Sequence, residues 1–320
     1  MNTGPALCIA SLGELLVEFV CTEREGHNLR AAPYIGPFPS GAPGIFIDQA
    51  ARVAADLGGR AIFAGAVGTD AFGRVVLDRL QAVGIDTSLI RVISGLPTGT
   101  AHVSYNTDGS RDFVFNIAQS AAAHLPDLGQ IETGFLAAGV SLMHISGSTL
   151  ADETMRAMAV ALCQRLAARG VAISIDPNIR PELMQGAGYL DDLRSLMAMA
   201  QYILPSDADA DLLFPGVPFD VWSSRLLNQG ARAVCLKRGD QGCIGRDHSG
   251  TILLPAHRVT VVDPTGAGDC FCATFVTLMA AGQPLTQALW RANAAGALAV
   301  CQLGPMEGNS TLLQIDALKG

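Results

Sequence analysis

Basic residues are scarce in this chain of 320 residues, and they form no cluster. Lys and Arg together number 21, against 29 Asp and Glu, so that the formal net charge is −8 and the pI lies near 5.2. A long-range field of this sign repels nucleic acids and anionic membrane surfaces. We therefore expect no nucleic-acid partner and no membrane partner, and an anionic ligand must be bound by local groups.

Long apolar runs and paired cysteines are also missing. No run approaches the roughly 20 residues that cross a bilayer. The first 23 residues contain neither Lys nor Arg, and so they lack the basic start of a secretory leader. The eight cysteines show no spacing that is typical of a zinc site. These features predict a cytoplasmic protein with reduced thiols.

Apolar residues, by contrast, make up 49% of the chain and charged residues only 16%, which predicts a substantial buried core. Short apolar runs alternate with amphipathic stretches such as 72–83 and 152–169. This alternation predicts an α/β fold with a mainly parallel central sheet flanked by helices. The runs that we interpret as strands are 6–10, 61–67, 140–145, 171–175, 202–204 and 233–236.

Two polar segments interrupt the alternation. Residues 23–40 are rich in Pro and Gly, and residues 98–115 alternate polar and apolar side chains around Asn106-Thr107-Asp108-Gly109, which is a hairpin signal. Together they predict a small β-sheet lid, formed by residues of approximately 17–39 and 98–116. We expect this lid to be inserted in a single domain that covers residues 1–320.

The glycine-rich turn from Asp263 to Asp269 is the most informative feature of the chain. Glycines at 266 and 268 allow backbone amides to converge on one point, and the apolar spacing from Phe271 onward predicts a helix. The unpaired amides at the start of this helix would stabilise an anion. Asp269 beside them is suited to take a proton from an attacking hydroxyl. Helix capping is the structural alternative for this residue.

Residues Asp263 to Phe271 resemble the signature of the ribokinase-like (PfkB) carbohydrate kinases, which is close to D-T-x-G-A-G-D-x-F. Thr274 departs from the glycine that the family usually has there. The resemblance implies a ribokinase-like fold whose lid closes over a sugar. It also implies ATP and Mg²⁺ as cofactors, with a monovalent cation such as K⁺ and a homodimer through the lid as further expectations. In such a kinase Asp269 is the catalytic base, and the anion hole is formed by Gly266, Ala267 and Gly268.

The sugar side of the expected site begins at a turn of small residues, Ser40-Gly41-Ala42, which leaves room for a polyhydroxyl ligand. The resemblance supports this turn as sugar-proximal, although Ile45 replaces the family's sugar-contacting Asn. Glu14 and Glu18, near the first strand, are further candidates for sugar binding. Structural salt bridges explain these two residues equally well.

Asp176-Pro177-Asn178-Ile179-Arg180 follows a predicted strand, where α/β proteins place ligand groups at the carboxyl edge of the sheet. Asn178 is suited to orient sugar hydroxyls. Arg180 is suited to neutralise phosphate charge during catalysis. The alternative is a buried pair between Asp176 and Arg180 that holds the loop.

The nucleotide side rests on three further segments. Residues 237–242 resemble the family's Lys-x-Gly-x-x-Gly turn, and the small-residue helix at 292–297 matches the segment that flanks adenine. Ser206 and Asp209 stand where the family has Asn-x-x-Glu, so that Asp209 would act on Mg²⁺ through water; an acidic helix start is the alternative. The expected nucleotide-binding residues are Ser206, Lys237, Gly239, Gly242, Gly266, Gly268 and Asn293.

The acceptor is indicated by Ile117, because segment 112–121 resembles a stretch of ketodeoxygluconate kinases and fructokinases that has an Arg at this position. In the acid-sugar enzymes that Arg meets the substrate carboxylate. Loss of that charged hydrogen bond, worth roughly 1.5–3 kcal/mol, disfavours a sugar acid. We therefore expect a small neutral ketose, tagatose-like or fructose-like, to be phosphorylated on a primary hydroxyl to a 6-phosphate. Segments 36–49 and 110–116 resemble the tagatose kinase-type branch. The alternatives are a kinase of 2-keto-3-deoxygluconate, another sugar acid or a nucleoside, and a non-catalytic sugar-sensing protein.

Overall fold

The computed structural model describes residues 7–23, 28–107, 110–180 and 188–318. Within these ranges the chain forms two β-sheets and ten α-helices. Among the helices of these ranges, none has the length and apolar character needed to cross a membrane.

The large sheet has nine strands in the order β13-β12-β11-β10-β9-β8-β1-β4-β5. All neighbours from β11 to β5 are parallel, and β12 and β13 add an antiparallel edge. The predicted mainly parallel sheet is therefore confirmed. Its strands are β1 Cys8–Leu12, β4 Arg60–Gly68, β5 Asp86–Ile93, β8 Leu142–Ser146, β9 Ala172–Asp176, β10 Tyr202–Ile203, β11 Ala233–Lys237, β12 Cys243–Asp247 and β13 Gly250–Leu254.

Helices cover both faces of this sheet, and β1 shows why its sequence is apolar throughout. Ala10 and Leu12 of β1 belong to one hydrophobic core cluster, whereas Ile9 belongs to a second. All five residues of β1 are buried, because neither face is left to solvent. The helices are α1 Ala42–Asp56, α2 Ala71–Ala82, α3 Leu128–Ala137, α4 Glu153–Ala167, α5 Tyr189–Met199, α6 Asp207–Leu213, α7 Phe219–Asn228, α8 Ala267–Ala280, α9 Leu285–Ala299 and α10 Leu312–Ala317.

The small sheet has four strands in the order β3-β2-β6-β7, and it coincides with the predicted lid segments. Its central pair, β2 and β6, is parallel, and both outer strands pair antiparallel. Asp108 and Gly109 of the predicted hairpin turn lie outside the described residues. The strands are β2 Leu16–Cys21, β3 Tyr34–Ser40, β6 Gly99–Tyr105 and β7 Arg111–Asn116.

Two element boundaries differ from the sequence prediction. The first strand covers Cys8–Leu12 rather than 6–10, and residue 6 lies outside the described ranges. Helix α1 begins at Ala42 rather than near Ile45, because Gly41 caps it and Pro43 occupies its first turn. Further along, Gln49 Nε2 donates to Thr274 Oγ1 at 3.1 Å and joins α1 to α8. Thr274, at the position where the resembled family usually has glycine, thus takes part in the packing of α1 against α8.

Candidate active site

A cavity of about 830 Å³ opens at the carboxyl ends of the central parallel strands. The small sheet forms one of its sides, through residues of β2 and β7. Open parallel sheets place their ligands at this edge. Most of the residues expected from the sequence line the cavity: Glu14, Ser40, Gly41, Ala42, Asn178, Arg180, Ser206, Asp209, Lys237, Gly239, Gly266, Gly268 and Asp269.

The start of α8 forms part of the wall of this cavity. Gly266 caps the helix with a φ of +82°, and a Cβ on it would lie 2.4 Å from the Pro305 carbonyl oxygen. Only glycine fits such a left-handed and crowded position without strain. In the described part of the chain, the amides of Ala267, Gly268 and Asp269 have no hydrogen-bond acceptor, and the first helical bond runs from Cys270 to Gly266. These free amides are available to an anion.

Asp269 lies in the first turn of α8, and its carboxyl group accepts no hydrogen bond from any described residue. Burial and the negative charge of Asp176 together raise the pKa of Asp269 to about 7, against the opposing positive charges of Lys237 and Arg180. A carboxylate with this pKa can take up a proton near neutral pH, as a general base must. Because its carboxyl group accepts no hydrogen bond from the described residues, Asp269 does not serve as a side-chain helix cap.

Lys237 and Asp176 form a buried ion pair across the carboxyl edge of the sheet. Lys237 Nζ also lies 3.4 Å from Cys272 Sγ, and 3.5 Å from the position that a Cβ of Gly268 would take. The alternative pair between Asp176 and Arg180 is not formed. The ammonium group instead lies beside the anion-binding turn, held in place by a buried carboxylate.

Arg180 lines the cavity, and it forms no hydrogen bond or ion pair with the described residues. Its charge acts at a distance on the pKa values of Glu14, Glu18 and Asp269. Asn178, two residues earlier, has a φ of +35°, and its Nδ2 donates to Ser146 Oγ at 3.0 Å. This left-handed conformation is uncommon outside glycine, and Asn is among the residues that tolerate it.

Asp209 has both carboxylate oxygens occupied by protein donors. Oδ2 accepts from the backbone N and the Oγ of Ser206, at 2.8 and 2.6 Å, and Oδ1 accepts from the backbone N of Ile179 at 2.8 Å. Ser206 and Asp209 thus form a capping box at the start of α6. The acidic-helix-start alternative accounts for these contacts. The described residues contain no cluster of three or more side chains that could hold a metal ion.

Three expected residues do not line the cavity. Ala267 belongs to the first turn of α8 and offers only its backbone. Gly242 has a φ of +88°, and a Cβ there would lie 2.1 Å from the Leu254 carbonyl oxygen, so that this glycine serves close backbone packing. Asn293 Nδ2 donates to the Pro255 carbonyl oxygen at 2.7 Å. Gly242 and Asn293 therefore fix the segment that follows β13, away from the cavity.

The sugar side contains two buried acids. Glu14 accepts hydrogen bonds from Ser148 Oγ at 2.6 Å and from Thr149 Oγ1 at 3.0 Å, and burial raises its pKa. It forms no salt bridge with the described residues, contrary to the structural alternative. Gly41 has a φ of +104°, and a Cβ on it would lie 2.4 Å from the Glu14 carbonyl oxygen. This turn therefore requires glycine for backbone packing as well as for space.

Two further residues line the cavity: Glu18, which the sequence also indicates as a candidate for sugar binding, and Arg111, which was not among the predicted site residues. Glu18 accepts a hydrogen bond from Ser40 Oγ at 3.2 Å, while its Oε1 is buried with no partner among the residues that the structure describes. Burial, followed by the charge of Asp263, raises the pKa of Glu18 to about 7. Arg111 begins β7, where alternate residues face the cavity. The two-residue period of a strand could have identified it, because Phe113 and Phe115 share its face.

Fold and site together define a class. A mostly parallel sheet carries a cavity at its carboxyl edge, a second small sheet covers one side, and a free carboxylate lies beside unpaired amides at a helix start. This is the arrangement of a ribokinase-like phosphotransferase, in which a base and an anion site face one acceptor.

Comparison with known proteins gives the family. Residues 49–312 match the protein family described as "pfkB family carbohydrate kinase". The chain belongs to this family of carbohydrate kinases. Fructokinase-1 of Oryza sativa subsp. japonica is 28% identical over 325 residues, which covers 98% of this chain and 97% of that protein.

Solved structures agree with this assignment. A protein from E. coli described as a ribokinase II is 34% identical, and its apo form superposes with a TM-score of 0.90. The structure of the same protein with ATP and Mg²⁺ gives a TM-score of 0.87, and the match covers 98% of each chain in both cases. The ribokinase-like fold is thus confirmed.

Proposed function

We propose that this protein transfers the γ-phosphoryl group of ATP to a primary hydroxyl of a small neutral ketose, fructose-like or tagatose-like, and forms the 6-phosphate. The observation that carries the proposal is the position of Asp269. Its carboxyl group has no hydrogen-bond partner among the described residues, lies beside three unpaired amides, and shares one cavity with Glu14, Glu18 and Ser40. The similarity to a plant fructokinase supports a ketose as acceptor.

In the proposed reaction Asp269 takes the proton of the sugar hydroxyl as that oxygen attacks phosphorus. The backbone amides of Gly266, Ala267 and Gly268 receive the charge on the transferred group. Lys237 adds a positive charge at the same turn, and Arg180 adds a second that no described protein group neutralises. Preorganised donors of this kind stabilise the transition state more than the ground state.

Magnesium would be held by the ATP phosphates and water, with Asp209 supplying negative charge behind them. The donor set allows this, because Asp209 lines the cavity and its Oδ1 accepts a single hydrogen bond from the described residues, which leaves a lone pair for a magnesium-bound water. Magnesium usually keeps several waters in sites of this type. The ion would neutralise charge on the phosphate oxygens. A similar E. coli protein has been determined with ATP and Mg²⁺, and K⁺ dependence stays a prediction for this chain.

A neutral acceptor is favoured by the cavity wall. Ile45 and Ile117 both line it, and both stand where the resembled kinases have polar or charged side chains. Glu14 and Glu18 are suited to accept from sugar hydroxyls, and as carboxylates they would repel an acid. Arg111 and Arg180 favour a second candidate, a sugar acid such as 2-keto-3-deoxygluconate, because two guanidinium groups line the same cavity.

A coupled ADP-release assay over a carbohydrate panel tests the proposal. The panel contains fructose, tagatose, 2-keto-3-deoxygluconate, ribose and a nucleoside, and NMR of the product identifies the phosphorylated oxygen. We expect the highest kcat/KM for a ketose. A higher value for the sugar acid would select the second candidate, and ligand binding without ADP release would indicate a sugar sensor.

We also propose that the small sheet acts as a lid that excludes water from the acceptor, and that it is the surface of a homodimer. Ile35 of β3 and Val114 of β7 support the dimer, because both are large apolar side chains that are nearly half exposed on this sheet. Light scattering at several protein concentrations measures the oligomeric state. The cytoplasmic location is likewise a proposal, tested by fractionation.

A further inference from the structure

The small sheet contacts the anion-binding turn through two side chains. Tyr105 ends β6 and Arg111 begins β7, and the two are directly paired in the register of these strands. The Tyr105 hydroxyl donates to Asp263 Oδ1, and Arg111 Nη1 donates to Thr265 Oγ1 at 3.2 Å. One end of the lid hairpin is therefore bonded to the segment that leads into α8.

Asp263 is the residue through which this contact reaches the backbone. It is completely buried, and its Oδ1 also accepts from the backbone N of Thr265 at 2.9 Å, while Oδ2 accepts from the backbone N of Gly304 at 3.0 Å. A Cβ on Gly266 would collide with Pro305, so the turn also packs tightly against the 304–305 segment. Displacement of the Asp263 carboxylate would therefore move the backbone of both Thr265 and Gly304.

The direction of the free amides depends on this arrangement. Gly266 directly follows Thr265, and the amides of Ala267 and Gly268 come next in the chain. An oxyanion site loses much of its effect when a donor is displaced by a fraction of an ångström. Burial and the neighbouring carboxylate raise the pKa of Tyr105, and the hydroxyl therefore stays protonated as a donor.

We propose that Tyr105 and Arg111 are positioning residues that couple the placement of the small sheet over the acceptor to the geometry of the anion-binding turn at 263–268. The inference rests on the proposed kinase function. This coupling favours the sugar over water as acceptor, because an anion site that is complete only under the lid reduces transfer of the phosphoryl group to water. Tyr105 acts through Asp263, and Arg111 acts through Thr265.

The test uses Tyr105→Phe and Arg111→Lys in the full chain. Tyr34→Phe is the matched control, because Tyr34 lies in the same sheet and also uses its hydroxyl for a side-chain hydrogen bond, to Asn28 Oδ1 at 2.5 Å. With the best acceptor of the carbohydrate panel, we expect kcat of each test variant to fall about tenfold, as the loss of one good hydrogen bond would give. The KM for ATP should change by less than about twofold, and Tyr34→Phe should match the wild type.

Hydrogen exchange of the 262–270 backbone supplies a readout that needs no ligand. We expect faster exchange of this segment in Tyr105→Phe than in Tyr34→Phe, at equal thermal stability of the two variants. Unchanged kcat with unchanged exchange would overturn the coupling, and so would equal losses in Tyr34→Phe. Absence of ADP release by the wild type with every carbohydrate would instead defeat the proposed function, and the coupling with it.

Discussion

The ammonium group of Lys237 is paired with the buried carboxylate of Asp176, and it lies 3.5 Å from the position that a Cβ of Gly268 would take. The positive charge is thus fixed at the end of β11, facing the start of α8. Long flexible lysines lose considerable side-chain entropy when they are ordered. Here the Asp176 carboxylate orders Lys237 before any ligand binds, so that this loss of side-chain entropy does not reduce the binding free energy of the ligand.

Substitutions at the two glycines of the turn separate packing from chemistry. Gly266→Ala places a methyl group 2.4 Å from the Pro305 carbonyl oxygen at a left-handed φ, whereas Gly268→Ala meets only ordinary contact with Lys237. We expect Gly266→Ala to lose both thermal stability and activity. Gly268→Ala should keep its thermal stability and lose kcat/KM for ATP by at least about tenfold, because the methyl group enters the anion site. Equal activity of Gly268→Ala and the wild type would place the phosphate elsewhere.

Asp176→Asn tests the control of the base. The negative charge of Asp176 is the largest cause after burial of the raised pKa of Asp269, which lies at about 7. Removal of that charge lowers the pKa of Asp269. The acidic limb of the kcat/KM profile should therefore lie near pH 7 in the wild type and at lower pH in the variant. A limb that does not move would show that another group titrates.

Glu18→Gln tests acceptor binding. Glu18 lines the cavity with one buried oxygen that has no partner in the described part of the chain, and a sugar hydroxyl would satisfy this oxygen. We expect the KM for the acceptor to rise about tenfold, while the KM for ATP changes by less than about twofold. Glu132→Gln is the control, because it removes a carboxylate from an ion pair with Arg165. A proportional rise in both KM values would argue for general distortion.

Asp269→Asn should make the protein more stable at alkaline pH. A carboxyl group with a folded pKa of about 7 binds more protons in the folded than in the unfolded protein, where its pKa is about 3.9. The wild type therefore loses stability as pH rises from about 4 to about 7, and the variant lacks this loss. The variant's advantage in unfolding free energy should grow across this window to roughly 2 kcal/mol, after allowance for solvent screening. Urea unfolding at about pH 4 and about pH 8 measures it; an advantage that shrinks with pH would contradict the raised pKa.

The part of the site that the sequence predicts best is local. Asp269, Gly266 and the following helix lie in one short segment, and glycine placement and apolar spacing are properties of neighbouring residues. The parallel sheet follows from the same kind of pattern, since buried strands such as β1 are apolar on both faces.

Long-range pairing could not be predicted in this way. Asp176 and Lys237 are 61 residues apart, and nothing in either segment indicates that they meet. Asn293 is the opposite case. As a polar residue in a helix of small residues it is predicted to contact the nucleotide, yet its Nδ2 donates to the Pro255 carbonyl oxygen. The two-residue period of β7 places Arg111 on the same face as Phe113, but the contact of Arg111 with Thr265 depends on the fold. Such roles depend on which elements become neighbours in the fold.

The most direct test of the account is the turnover of Asp269→Asn with the best acceptor of the carbohydrate panel. Because Asn keeps the shape of the side chain and cannot accept the proton, we expect kcat to fall by at least about 10²-fold. The affinity for a non-hydrolysable ATP analogue should stay within about twofold of the wild type. Retention of a tenth or more of kcat would contradict the assignment of Asp269 as the base.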